Sequence, residues 1–380
     1  MNTTLQPETN VASSAAVTTW NRDPGLSEIL ALWTAAALIF IGTISVFTSY
    51  RQLIPNFGDS LAYMQIADAI RSWNFSDIHV KHFWGLPYAM ASIGKMTGVS
   101  SQTALIAVSC LSSLAAAILA YRLWGAWITL FASMLNFDWF QRSFLGGSEP
   151  LFVALLFGAL LAIRKERWKW AALLASLATI TRPLGVCLLI AMGISLLRQR
   201  RWPTLAWVIA IAVLIGMVYM LPMHLYLHDS LATVHSYGVL QSNPYPSLFG
   251  IPFKAIIVGT LRNPAPISNL VLSFLWIFLV LAGNVAMFAA REFRAYARTH
   301  PAEVIFAGLY LLSLYCYNLP YWARGNFARF AIPILPFVFL ALERWLPKDR
   351  RLIWCLAVVS AAIAACSAIG LHNVLADLHR

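Results

Sequence analysis

The chain has 380 residues, of which 60% are hydrophobic and 11% charged, with a mean hydropathy of +0.70. A soluble domain carries about twice that charged fraction, and the apolar residues fall in blocks close to the roughly 20 that cross a bilayer as a helix. The blocks lack the apolar/polar alternation of an outer-membrane barrel strand. A barrel, a disordered chain and a soluble enzyme are therefore excluded. What remains is an all-α polytopic membrane protein, because helices satisfy their own backbone hydrogen bonds in lipid. The formal net charge of +12 sits in short runs between apolar blocks, where it orients a membrane chain instead of pointing to nucleic acid. Cys110, Cys187, Cys316, Cys355 and Cys366 lie in or beside apolar segments with no CxxC pair, and read as small core residues.

A polar cytoplasmic segment, residues 1–27, precedes a single transmembrane domain over 28–371 and a short tail over 372–380. The first apolar stretch is too long for a signal-peptide core and is expected to remain as the first membrane helix. Further blocks predict helices over 101–121, 124–137, 149–163, 204–221, 269–290, 303–319, 330–346 and 352–371. The block from Trp170 to Leu197 is different. Basic clusters flank it on both sides, and its middle reads Thr181-Arg182-Pro183-Leu184-Gly185, where proline disfavours helix at the residue before it and removes a donor. A hairpin with arms of roughly 16 to 22 Å, short of a ~30 Å hydrocarbon core, puts both clusters on one side. The positive-inside bias then places Arg164–Lys169, Arg198–Arg201, Arg291–Arg298 and Lys348–Arg351 inside.

The opposite face receives residues 51–100, a turn over 136–148, a loop over 222–268 and a turn over 320–329. Asp59 to Trp73 carries apolar residues on one helical side, as an interfacial amphipathic helix does, and Gly85 to Gly98 reads as a second short helix. The chemically capable residues gather here. Asp59 opens the amphipathic helix; near a membrane surface its carboxylate is suited to general-base work, and a helix N-cap is the competing role. Glu149 starts a membrane helix, where its charge suits the positive end of the dipole. Asp138, with Trp139 and Arg142 beside it, is a weaker candidate. Arg182 is costly inside hydrocarbon and needs either a counter-ion such as Glu149 or an anionic ligand. Arg324 and Arg329 sit among aromatics on the face that normally lacks basic residues, which suits an anionic headgroup. The loop from His224 to Tyr245 adds His228, Asp229, His235, Tyr237 and Gln241 as sugar or phosphate contacts. No GxxxxGK[ST], HExxH or GxSxG segment occurs, and no metal or other cofactor is expected.

The order of these features resembles the GT-C superfamily of membrane glycosyltransferases, which use polyprenyl-phosphate sugars. The resemblance rests on Gly58-Asp59-Ser60-Leu61-Ala62-Tyr63, His82-Phe83-Trp84-Gly85-Leu86-Pro87-Tyr88, Ser148-Glu149-Pro150-Leu151-Phe152, Thr179-Ile180-Thr181-Arg182-Pro183-Leu184-Gly185 and Ala328-Arg329-Phe330-Ala331-Ile332-Pro333. It spans about residues 28–346. The Ser-Glu-Pro and Thr-Arg-Pro-Leu-Gly segments look most like the branch of the second mannosyltransferase of glycolipid-anchor synthesis. A single Asp59 stands where many members carry an Asp pair or an Asp-containing, Trp-rich motif.

The resemblance implies a bundle of about 10 to 12 transmembrane helices with an extracytoplasmic amphipathic helix after the first. It implies inverting, metal-independent transfer of a hexose such as mannose, with Asp59 as base. Tyr63, Glu149, Arg182, His235, Arg324 and Arg329 would bind substrate, the arginines facing the leaving phosphate. The partners implied are the lipid-linked donor, a lipid, glycan or protein acceptor, and membrane lipids. A bacterial inner membrane is the expected location, with the site facing the periplasm or exterior. Two other readings fit the same residues. A transporter or flippase of lipid-linked sugars also wants a basic cavity, although only one helix break is visible. A structural subunit of a membrane complex would use the same charges as caps and ion pairs.

Overall fold

The computed structural model describes residues 24–75, 82–239, 249–262 and 267–378. Among these the regular structure is helical, with one isolated antiparallel bridge between Phe249 and Tyr317. In chain order, apart from the single helical turn Tyr50–Leu53, the α-helices are α1 (Leu26–Phe47), α2 (Ser60–Ser72), α3 (Gly85–Thr97), α4 (Ser101–Trp124), α5 (Ala126–Met134), α6 (Phe137–Leu145) and α7 (Ser148–Arg164). There follow α8 (Trp168–Thr181), α9 (Val186–Arg198), α10 (Trp202–Leu227), α11 (Ala232–Val239), α12 (Lys254–Arg262) and α13 (Ile267–Ala289). The series closes with α14 (Arg291–Thr299), α15 (Pro301–Cys316), α16 (Pro320–Gly325), α17 (Phe327–Ala331), α18 (Leu335–Ala341) and α19 (Arg350–Leu378).

The all-α polytopic architecture expected from the sequence is present. Among the described residues four helices, α1, α4, α10 and α19, are each long and apolar enough to cross a membrane, or up to six spans if each of two bent pairs is one span. The other apolar blocks of the expected 10-to-12-helix bundle are shorter helices, among them residues 183–198, 301–316 and 327–341. Helix α19 continues to Leu378, so most of the expected tail is an extension of that helix. The polar segment up to residue 23 and Gln241 lie outside the described residues.

Small side chains bring the central helices together. Ser109, Ser113, Ala116, Ala117 and Ala120 of α4 are buried, and α4 packs along α7. Ala171, Ala172, Ala175 and Ala178 of α8 are fully buried, which lets α8 lie close to both α7 and α10. Helix α1 closes the bundle against α19, its Glu28 receiving Arg350 Nε at 2.8 Å.

The segment around Arg182 is broken as the Thr-Arg-Pro pattern predicts. Arg182 has extended backbone (φ −149, ψ 133) between α8 and a 3₁₀ turn at Pro183–Gly185. Past the break the chain returns to the level it left: Arg201 Nη1 meets Glu166 at 3.2 Å, and Lys169 Nζ lies 4.3 Å from the centre of the Trp207 ring. The two basic clusters therefore share one end of the molecule. At that end Arg164 of α7 pairs with buried Glu303 of α15 at 2.6 Å and donates to the Tyr296 hydroxyl of α14 at 2.8 Å.

One expected turn is instead a helix. Residues 136–148 contain α6, capped by the Asn136 side chain, which accepts from the Asp138 amide at 3.0 Å. Helix α6 meets α7 at a bend of 104°. Phe137, Phe140 and Phe144 do share one side of it, but nine residues are too few for that spacing to tell a helix from a turn.

Candidate active site

The site forms where four separate stretches of chain meet, opposite the basic end. The loop after α1 brings Asp59, the α6–α7 bend brings Glu149, the break after α8 brings Arg182, and α17 brings Arg329. The loop is fixed by Tyr50, whose hydroxyl donates to the carbonyl of Phe144, and by Ser60, which donates to the Leu145 carbonyl at 3.4 Å. Asn136 Nδ2 donates to the Ala328 carbonyl at 3.1 Å and so ties α6 to α17. Gly85 allows the closest approach: a Cβ there would stand 2.6 Å from Thr181 Cα. The start of α3 therefore lies directly on the end of α8, beside Arg182.

These stretches hold one continuous ion-pair chain. Arg329 Nη2 reaches Asp59 Oδ2 at 3.3 Å while its Nε pairs with Glu149 Oε1. Arg182 Nη1 pairs with the same Glu149 oxygen and lies 3.3 Å from Ser148 Oγ. Tyr63 donates to Ser148 at 3.1 Å, and its ring meets that of His82 edge-on at 5.3 Å. The Arg182 guanidinium also stands 5.6 Å from the centre of the Phe330 ring. Five of the residues selected by sequence, Asp59, Tyr63, Glu149, Arg182 and Arg329, are thus brought together.

The two carboxylates differ sharply. The Glu149 side chain is 3% exposed and engaged by two arginines, whereas that of Asp59 is 34% exposed. Asp59 occupies the N-cap position of α2, yet its side chain makes no cap hydrogen bond; its carboxylate is directed to Arg329 instead. Burial pushes the Asp59 carboxyl up, but Arg329, His82 and Arg142 together outweigh it and hold the group below the usual carboxylate range. Asp59 is therefore an ionised, solvent-reachable carboxylate beside a cluster of fixed cations.

Arg324 and His235 make other contacts. Arg324 is buried on α16 and packs toward Gly259 of α12. His235 is exposed on α11 and pairs with Asp229 at 2.8 Å, a local contact six residues away. Among the described residues no three His, Cys, Asp or Glu side chains converge as a metal-binding group. Arg142 was only a neighbour of Asp138 in the sequence, but it is buried beside Gly58 and Gly147, within the site. Its signal was the i, i+4 spacing from Asp138, which places both on one helical side once α6 is known to be a helix.

Fold and site together define an all-α polytopic membrane protein with a carboxylate–arginine centre at one end of its bundle. The chain belongs to glycosyltransferase family 87, which matches residues 87–320, more than half of its length. This is a GT-C-type family, so the chain is a membrane glycosyltransferase. No curated protein and no solved structure matches the chain.

Proposed function

We propose that the protein transfers a hexose, with mannose as the first candidate, from a polyprenyl-phosphate donor to an acceptor hydroxyl on the extracytoplasmic side of the membrane. The observation that carries this reading is the Asp59 carboxylate, ionised and half-open, released from capping duty and set among arginines. In the reaction the acceptor oxygen forms a bond to the anomeric carbon as Asp59 takes its proton. The bond from that carbon to the phosphate oxygen breaks on the opposite face, and the electron pair leaves with polyprenyl phosphate. Configuration is inverted, and the proton passes from Asp59 to water. Fixed guanidinium groups meet the negative charge that grows on the phosphate, without reorganising at the moment of reaction. The basic loops collect at the other end of the bundle, which supports placing the site away from the cytoplasm. A bacterial inner membrane, with the site facing the periplasm or exterior, and the glycolipid-anchor mannosyltransferase branch complete the proposal.

The test is sugar transfer from a panel of radiolabelled polyprenyl-phosphate hexoses by protein in nanodiscs, with native membrane extract as acceptor. Wild type is expected to consume one donor, and an equally well-folded Asp59→Asn protein to leave it intact. Donors that all stay intact while the lipid crosses the bilayer would replace this reading with a lipid-linked sugar transporter.

A further inference from the structure

A cation removed from water needs an anion or a dense set of acceptors, since the uncompensated charge costs several kcal/mol (~3–5). Arg182 and Arg329 meet that need through Glu149 and Asp59. Arg142 does not. It is 8% exposed, and among the described residues no carboxylate oxygen lies within the 4.0 Å ion-pair distance of its guanidinium. Its Nε is fully buried and makes no hydrogen bond among the described residues. The Phe57 ring lies beside it, its centre 4.6 Å from the guanidinium carbon; such a contact offsets only part of the desolvation.

The surroundings keep this guanidinium in place and pointed at the reaction centre. Gly58, with φ +55, has no Cβ where Arg142 Nη1 passes, and a Cβ on Gly147 would stand 2.8 Å from Arg142 Cδ. The group thus lies against the residue preceding Asp59. Arg329 repels it, and Glu149, Asp59 and Asp138 are within its electrostatic reach; Asp59 Oδ2 and Glu149 Oε1 are turned to other arginines, and Glu149 Oε2, on the Gly147 side of Arg142, makes no hydrogen bond among the described residues. The cluster therefore holds one guanidinium whose planar fork of donors is uncommitted among the described residues. That fork matches the paired oxygens of a phosphate.

We infer that Arg142 receives the phosphate of the lipid-linked donor and retains it in the polyprenyl phosphate product, while Arg182 and Arg329 stay on the carboxylates and position Asp59. This rests on the donor proposed above and assigns its phosphate to a residue outside the resemblance motifs. A binding measurement tests it without relying on turnover. Farnesyl phosphate and farnesol serve as probes, read by ligand-dependent thermal stabilisation of the full chain in nanodiscs.

Wild type is expected to bind farnesyl phosphate and to bind farnesol much more weakly. Arg142→Gln is expected to weaken phosphate binding about tenfold to a hundredfold, with Arg142→Lys between the two. Without ligand, Arg142→Gln is expected to melt at or above wild type, because an unpaired buried charge has been removed. Unchanged farnesyl phosphate binding by Arg142→Gln overturns the inference and leaves the donor reading standing. A variant that melts below wild type or does not fold also overturns it, since the guanidinium would then already have a partner that supports the fold. Wild type that fails to distinguish the phosphate from the alcohol defeats the donor reading and this inference together.

Discussion

Neutralising Glu149 separates stability from turnover in this site. Its carboxylate is 3% exposed, and one of its oxygens receives both Arg182 and Arg329. Each charge-assisted hydrogen bond contributes about 1.5–3 kcal/mol, and removing one member of a buried ion pair costs about 3–5 kcal/mol because the other charge is left uncompensated. In Glu149→Gln, Arg182 is stranded while Arg329 keeps Asp59, so a loss within that range, about 3–5 kcal/mol, is expected. Asp59→Asn exposes the contrast: its side chain is 34% exposed and pairs with one arginine that keeps Glu149, so a loss of about 1 kcal/mol or less is expected. Both variants would be titrated with SDS in mixed micelles, following helicity, with Arg182→Met combined with Glu149→Gln as a third. The double variant should recover part of the loss, because the stranded cation is gone. The reasoning is refuted if Glu149→Gln is as stable as Asp59→Asn, or if removing Arg182 deepens the loss additively.

Other perturbations follow from the same geometry. Transfer by Asp59→Asn should fall about 10²- to 10⁴-fold, the usual contribution of a general base, with single-turnover kinetics as the readout. Because Arg329 is the foremost group lowering Asp59, the acid limb of kcat/KM should lie below the ordinary carboxylate pKa, about 3.9. Stability drawn from the ionised group is likewise kept above that value and lost as pH falls through the lower folded pKa. In Arg329→Gln the limb should move to higher pH, and an unmoved limb would separate Asp59 from Arg329. Gly85→Ala places a methyl group against the Thr181 backbone at 2.6 Å and should destabilise by about 1–3 kcal/mol while lowering transfer, because Arg182 follows Thr181; wild-type melting and rates would rule this out. Arg164→Met breaks the pair with Glu303 at the far end, so melting should fall while kcat/KM per folded molecule stays level.

Much of this organisation is legible in sequence because membrane solvent imposes it locally. Apolar block length marks α1, α4 and α10, and Pro183 marks the break that exposes Arg182. Asp59 and Glu149 could be selected because carboxylates beside apolar helices are expensive. The ion-pair partners could not: Arg329 and Asp59 are 270 residues apart, and which arginine meets which carboxylate depends on how the helices pack. Arg142 was hidden for a related reason. Helix α6 has nine residues, too few for periodicity to distinguish from a turn, and the 104° bend that turns it into the site leaves no mark beyond Gly146 and Gly147.

The hairpin of α8 and α9 also sets how the protein sits among lipids. Its arms of 14 and 13 residues rise only about 20 Å each, so the hairpin tip stops short of the far headgroups of an ordinary ~30 Å leaflet pair. Arms this short are expected to thin the bilayer locally on the reaction side, while Arg182 at the tip stays paired with Glu149 and mostly shielded. For the lipid-linked donor proposed above, such a dimple shortens the climb to the site, and it couples transfer to acyl-chain length: thicker membranes would seal the approach that thinner ones leave open.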